Sequence, residues 1–209
     1  MSVADDAYLT IGAPAEGSYR EKGSRFMAFA YPVVAEQQVK AHVDALRAQY
    51  HDARHHCYAY IMGPQGERWR VNDDGEPSGT AGRPIYGQLQ SLGLTNVMVV
   101  VVRYFGGTKL GVPGLINAYR SATHDALSHA QIVSRTVDDV YHLGFGYQAT
   151  NEVMRLVKEL ALEVEWQRFD TQCAMGLRVR QGLRPQLLPR LERIAGLSIE
   201  LNPPHDNAT

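Results

Sequence analysis

Apolar and polar positions along this chain alternate with two periods, and the changes of period mark its elements. The apolar run over residues 26–32 reads as a strand. A period near 3.6 then predicts a helix over 35–50, with Val39, Val43, Leu46 and Tyr50 on one stripe. Two more strands, 57–62 and 67–72, flank the turn sequence Gly63-Pro64-Gln65-Gly66 and read as a hairpin. Setting Met62 opposite Glu67 places Tyr60 opposite Trp69 and Tyr58 opposite Val71 on one face. Cys57, Ala59, Ile61, Arg68 and Arg70 then share the other face. A short helix over 85–92 leads to a strand over 97–104, whose unbroken apolar run 97–102 predicts a central position covered on both sides. Pro113 suits the first position of a helix running to about residue 129, with Leu115, Ile116, Tyr119, Ala122 and Leu127 apolar.

Beyond Ala130 the pattern restarts as strand 136–143, helix 151–160, strand 162–169, strand 173–179, helix 185–194 and strand 197–201. That order, βαββαβ, is the split β-α-β arrangement of a ferredoxin-like domain. The chain is therefore expected to be α+β with four segments: an N-terminal arm (1–18), a first domain (19–133), a second domain (134–201) and a disordered tail (202–209) rich in Pro and Asn.

Composition narrows the functional classes. With 209 residues and 44% apolar content the chain can bury a substantial core, and its net charge of -1 lacks the basic excess of a general nucleic-acid binder. Any contact with RNA must be local. Asp5 and Asp6 stand where a signal peptide needs positive charge, and the run 97–102 is too short to span a bilayer, so the reading is cytoplasmic with no membrane partner. Cys57 and Cys173 are too few for a disulfide framework.

Two glycine-rich turns dominate the candidate chemistry. The first is Asp73-Asp74-Gly75-Glu76-Pro77-Ser78-Gly79-Thr80-Ala81-Gly82-Arg83-Pro84, and the second is Arg103-Tyr104-Phe105-Gly106-Gly107-Thr108-Lys109-Leu110-Gly111; each leads into a helical pattern. Amide groups at such turns and at helix N-termini carry partial positive charge and hold phosphate or carboxylate. Gly79, Thr80, Gly82 and Arg83 in the first turn, and Arg103, Gly106, Gly107, Thr108 and Lys109 in the second, are the candidate anion contacts. The alternative is that the glycines serve positive φ and close helix–strand packing. Gly111 is followed by Val112-Pro113 rather than Lys-Ser/Thr, so the second turn is not a P-loop.

Other constellations carry less. Asp73, Asp74 and Glu76 would suit a hard cation but miss the EF-hand spacing, and aspartates that bond their own turn are the simpler reading. Ser78 has no base at a telling spacing. His51, His55, His56 and Cys57 are zinc-type ligands, yet strand alternation separates His56 from Cys57. No catalytic residues, metal or cofactor are assigned. Tyr58, Tyr60 and Trp69, if open, form an aromatic face on which unpaired RNA bases would stack. Arg178 and Arg180 alternate with Leu177 and Val179 and so project from one sheet face toward possible phosphates, although residues 135–201 hold nine basic and nine acidic side chains.

His55-His56-Cys57-Tyr58-Ala59-Tyr60, the segment 73–85 and the segment 102–111 resemble the IMPACT family, specifically its bacterial YigZ branch, over nearly the whole chain. The resemblance implies a first domain like the second domain of a small-subunit ribosomal protein and a second domain like the ferredoxin-like domains of elongation factor G. It also implies association with RNA or the ribosome. Eukaryotic relatives regulate translation by competing for the activator of an initiation-factor kinase, using an additional protein-binding domain. Two other readings stay open: an enzyme acting on a small phosphorylated or carboxylated substrate, in line with the proline-dipeptidase label that some relatives carry, and a protein-interaction module that needs no anion pocket.

Overall fold

In the computed structural model, which describes residues 6–202, the chain divides into two compact units. One is Tyr8–Arg135; the other runs from Thr136 onward and takes in Asp6 and Ala7. The larger unit is built on a five-stranded antiparallel sheet of order β2-β3-β6-β4-β5, comprising β2 (Ala15–Glu21), β3 (Ser24–Pro32), β6 (Val97–Tyr104), β4 (His55–Met62) and β5 (Arg68–Asn72). The expected central strand is β6: all six residues from Val97 to Val102 are 0% exposed. Alternation sends Val97, Val99 and Val101 into a core beneath α2 (Gly82–Ser91) and α3 (Gly111–Ser128). Met98, Val100 and Val102 go into a second core beneath α1 (Glu36–Gln49), with Val39, Val43 and Leu46 of its apolar stripe. A charge at Val100 or Val101 would find no water on either side of the sheet.

Two expectations for this unit need correction. Residues 1–18 are not simply an arm. Within the described part, β1 (Ala7–Ile11) pairs with β7 (Ile132–Thr136), and β2 forms a sheet edge whose register with β3 runs from Ala15 opposite Ala30 to Glu21 opposite Ser24. The hairpin register is also shifted by one residue, with Met62 opposite Arg68, Ile61 opposite Trp69, Tyr60 opposite Arg70 and Tyr58 opposite Asn72. The cause is Glu67, which belongs to the turn: its carboxylate accepts the Gln65 amide at 3.0 Å and folds over Gly63. A one-residue slip exchanges the faces of every β5 side chain.

The smaller unit runs β8 (Asp138–Gly146), α4 (Thr150–Glu159), β9 (Glu163–Arg168), β10 (Gln172–Arg180), α5 (Arg184–Leu191) and β11 (Ser198–Leu201), the βαββαβ order expected from the sequence. Its antiparallel sheet has the order β11-β8-β10-β9. Tyr141, Leu143, Phe145, Met175, Leu177 and Val179 point to a core closed by Val153 and Leu156 of α4 and Leu187 and Leu191 of α5. Asp6 is pinned to this unit: its carboxylate lies 2.7 Å from the Arg180 guanidinium and accepts the Gly182 amide at 2.6 Å, while its carbonyl accepts the Val137 amide at 2.7 Å. Of the expected tail, Asn202 instead bonds Val140 through its amide (2.7 Å) and side chain (2.9 Å). Residues 203–209, like 1–5, lie outside the described residues.

Candidate anion-binding site

The first glycine turn supplies its own anion. Asp73 Oδ1 accepts the amides of Ala81 (3.0 Å) and Gly82 (2.8 Å), and its Oδ2 accepts that of Gly79 (2.8 Å). The Asp73 carboxylate thus sits at the N-terminus of α2, where the helix dipole favours negative charge. Thr80 is committed too: its amide and hydroxyl both donate to the Pro77 carbonyl, at 3.0 and 2.7 Å. Gly82 packs so closely on β5 that a Cβ there would fall 2.8 Å from the Asn72 nitrogen. Gly79, Thr80 and Gly82 are therefore corrected from ligand contacts to parts of a closed turn; Arg83 stays exposed. The three carboxylates of the turn also diverge. Asp74 bonds Arg47 (2.9 Å) and the His56 amide (2.7 Å), whereas Glu76 points into the core.

The bases of the two turns meet in that core. Glu76 Oε1 lies 2.5 Å from Nη1 of Arg103 and accepts the Tyr119 hydroxyl at 2.8 Å; Arg103 and Glu76 are both buried. The Arg103 guanidinium is held between the rings of Phe26 and Phe105, at 5.3 and 5.7 Å. Arg103 is thus corrected as well: its charge is spent on Glu76, not offered to phosphate. Cys57 Sγ lies 3.0 Å from the Asp73 carbonyl and 3.3 Å from the Tyr119 hydroxyl. Burial pushes the Cys57 thiol and the Tyr119 hydroxyl far above their ordinary ranges, so both stay protonated and neither is an activated nucleophile.

The second turn is open. Gly106 packs against Gly23 with no room for a Cβ, and its amide donates to Ser24 Oγ at 3.1 Å. The amides of Gly107, Thr108 and Lys109, by contrast, find no acceptor among the described residues, and all three residues are exposed. The turn runs into α3, whose first residues are exposed and whose N-terminus has no side-chain cap. The close contact at Gly106 brings in the β2–β3 turn, where Arg20, Lys22 and Arg25, with Glu21, Gly23 and Ser24, line a depression of about 350 Å³. Lys22, Arg25 and Lys109 make no ion pair among the described residues. Sequence reasoning missed these β2–β3 cations. The available signal was Lys22-Gly23, a turn dipeptide between two alternating runs.

The other sequence candidates are not brought together. Tyr60 is buried beneath α1 with its hydroxyl donating to Glu36 (3.1 Å), and Tyr58 is half-buried beside it. Trp69 lies on the opposite face, 56% exposed and 4.9 Å from the Tyr86 ring, so no shared aromatic face exists. Tyr58, Tyr60 and Arg70 line a groove of about 460 Å³ against α1, where Lys40 and Arg47 are interspersed with Glu36 and Asp44. In the smaller unit Arg178 is paired with Glu165 and Arg180 with Asp6. No cluster of three or more His, Cys, Asp or Glu suited to a metal ion occurs among the described residues, and no helix there is long and apolar enough to cross a membrane.

Comparison with known proteins adds the following. The Impact N-terminal domain matches residues 22–127, which span the five-stranded sheet from the β2–β3 turn through α3 and so contain both glycine turns. The chain is 34% identical over 154 residues to "IMPACT family member YigZ" of Escherichia coli (strain K12), covering 73% of this chain and 76% of that protein. It is likewise 34% identical over 153 residues to "IMPACT family member YvyE" of Bacillus subtilis (strain 168), covering 73% and 70%. A solved structure described as the crystal structure of a hypothetical protein superimposes with a TM-score of 0.68 at 28% identity, over 96% of this chain and 98% of that one.

Proposed function

This chain belongs to the IMPACT family, and on that footing we propose that it is a non-enzymatic factor that associates with RNA or the ribosome and acts in the regulation of translation. The turn from Gly107 to Lys109 holds backbone phosphates. The observation that carries this reading is a run of three amides with no acceptor among the described residues, at Gly107, Thr108 and Lys109, leading into the uncapped start of α3, with the β2–β3 turn and its exposed Lys22 and Arg25 packed against Gly106. An amide nest with adjacent point charges suits a phosphate without reading a base, so the contact positions RNA without selecting sequence.

Two further features support the reading. The smaller unit has the element order and the strand order β11-β8-β10-β9 of a ferredoxin-like domain, in keeping with kinship to elongation factor G domains. The larger unit we take to be the counterpart of the ribosomal-protein domain. Such a factor works in the cytoplasm. Against an enzyme stand the protonated, buried state of Cys57 and Tyr119 and the mixed charge of the groove against α1, which offers no committed site for a phosphorylated or carboxylated substrate.

The test is the salt dependence of single-stranded RNA binding. Replacing Lys22, Arg25 and Lys109 together by Ala is expected to lower the slope of log K against log[salt] by roughly 2, at about 0.7 per lost phosphate contact. Folding stability should stay within about 0.5 kcal/mol because all three are surface side chains. An unchanged slope would remove the second turn from the RNA contact.

A further inference from the structure

We propose that the open face of the β8–β11 sheet is a stacking platform for one unpaired base of single-stranded RNA, with Trp166 as the platform, His142 as its edge and Arg168 as the adjoining phosphate contact. This deepens the RNA reading above and rests on it, but it concerns a different unit and a different kind of contact.

The strand register sets the residues out in rows. Glu200, His142, Gly176 and Trp166 lie side by side across the four strands, and Ser198, Gly144, Ala174 and Arg168 form the next row. The neighbouring positions Tyr141, Leu143, Met175 and Leu177 point into the helix-covered core, so alternation puts both rows on the uncovered face. At Gly176 a Cβ would fall 2.3 Å from Nε1 and 2.7 Å from Cδ1 of Trp166, so the five-membered ring of the indole lies directly on the glycine backbone. The His142 ring meets it edge-on, with centroids 4.9 Å apart and planes at 84°. Trp166 is thus held by the sheet beneath and a ring beside it, yet it is 40% exposed.

That combination matters energetically, because an aromatic ring already fixed in place has little rotamer freedom left to lose when a base stacks on it. Gly144, Ala174 and Ser198 carry small or absent side chains and leave a shelf beside the indole. Charge selects the occupant. Of the arginines on this face, Arg178 is held by Glu165 and Arg180 by Asp6, whereas Arg168 has no carboxylate partner among the described residues. Arg168 stands two positions from Trp166 on the same strand face, about 7 Å away, within reach of the phosphate of a nucleotide whose base covers the indole. One uncommitted cation beside one aromatic plane fits a nucleotide unit of a single strand. A duplex, whose bases are already stacked, offers no free face. With a single phosphate contact the salt slope here is shallow, about 0.7, unlike that of the second glycine turn.

The chain has two tryptophans, so in a Trp69→Phe background the emission reports Trp166 alone. Titration with a short single-stranded oligoadenylate is expected to quench that emission saturably, and a duplex of the same length is expected not to. By anisotropy of a labelled oligoadenylate, Trp166→Ala should weaken binding roughly 5- to 150-fold, the range for loss of one base–aromatic stack, with Trp166→Phe intermediate. Replacing Lys22 and Lys109 by Ala should leave the quenching intact. Should Trp166→Ala fail to fold, quenching in the Trp69→Phe protein still decides the matter. If the oligoadenylate binds but Trp166 emission does not change, the platform is wrong and the RNA reading stands. If nothing binds by either measure, both fall. A Trp166 emission shift that follows protein concentration without RNA would mark the face as a contact between copies and overturn the proposal.

Discussion

The two glycine turns look alike in sequence and differ in what they leave free. Each is rich in Gly with a Thr, and each opens a helix, but Asp73 reaches back across the first turn and occupies the amides of Gly79, Ala81 and Gly82. The second turn has no acidic residue, and its amides at Gly107, Thr108 and Lys109 have no acceptor among the described residues. A helix N-terminus preceded by glycines is therefore an anion site only where the chain does not provide its own anion. Beneath this contrast the turns share one support, the buried pair of Glu76 and Arg103, which joins the base of one to the base of the other.

The largest effect is expected at that shared support. Arg103→Met leaves the Glu76 carboxylate buried without its cation and should cost about 3–5 kcal/mol in denaturant unfolding. A loss below about 1 kcal/mol would mean that the pair is effectively solvated and that the turns are held independently.

The contrast itself is sharpened by Asp73→Ala, which leaves three amides of a partly buried turn without an acceptor. Here the expected loss is about 1–3 kcal/mol, and added sulfate should restore part of it by taking the vacated place at the start of α2. The wild-type first turn should show no such sulfate effect. Equal stabilisation of both proteins would show that Asp73 is not standing in for an anion.

A smaller effect follows from His56, which lies beside the first turn with Nδ1 3.9 Å from the Asp74 carboxylate. Burial pushes its imidazole below the ordinary range; Asp74 opposes that shift and Arg47 reinforces it. The unfolded chain therefore binds a proton that the folded protein resists. The contribution is fully present above about pH 6.5 and is lost as pH falls from there toward the folded value. His56→Gln should flatten the fall of the urea midpoint over this window, and an unaltered profile would show that His56 does not govern it.

Much of this architecture was legible in the chain. The run from Val97 to Val102 announced a strand covered on both faces, and the βαββαβ order of the second unit followed from changes of period alone. β1 and β2 were missed because residues 7–21 mix exposed and buried positions, and one face of β2 looks to solvent. The hairpin register slipped because Glu67 reads as the first residue of a strand while its carboxylate closes the turn, a contact that no periodicity reports. Arg103 shows the same limit from the other side. An arginine at the mouth of a glycine turn suggests a phosphate ligand, and only the fold brings Glu76 into its path.

The most direct test of the contrast is a titration of the isotope-labelled protein with inorganic phosphate and then with single-stranded RNA, following backbone amide chemical shifts. The amides of Gly107, Thr108 and Lys109 are expected to move and saturate, while those of Gly79, Ala81 and Gly82 stay in place. Shifts at the first turn with none at the second would contradict the account.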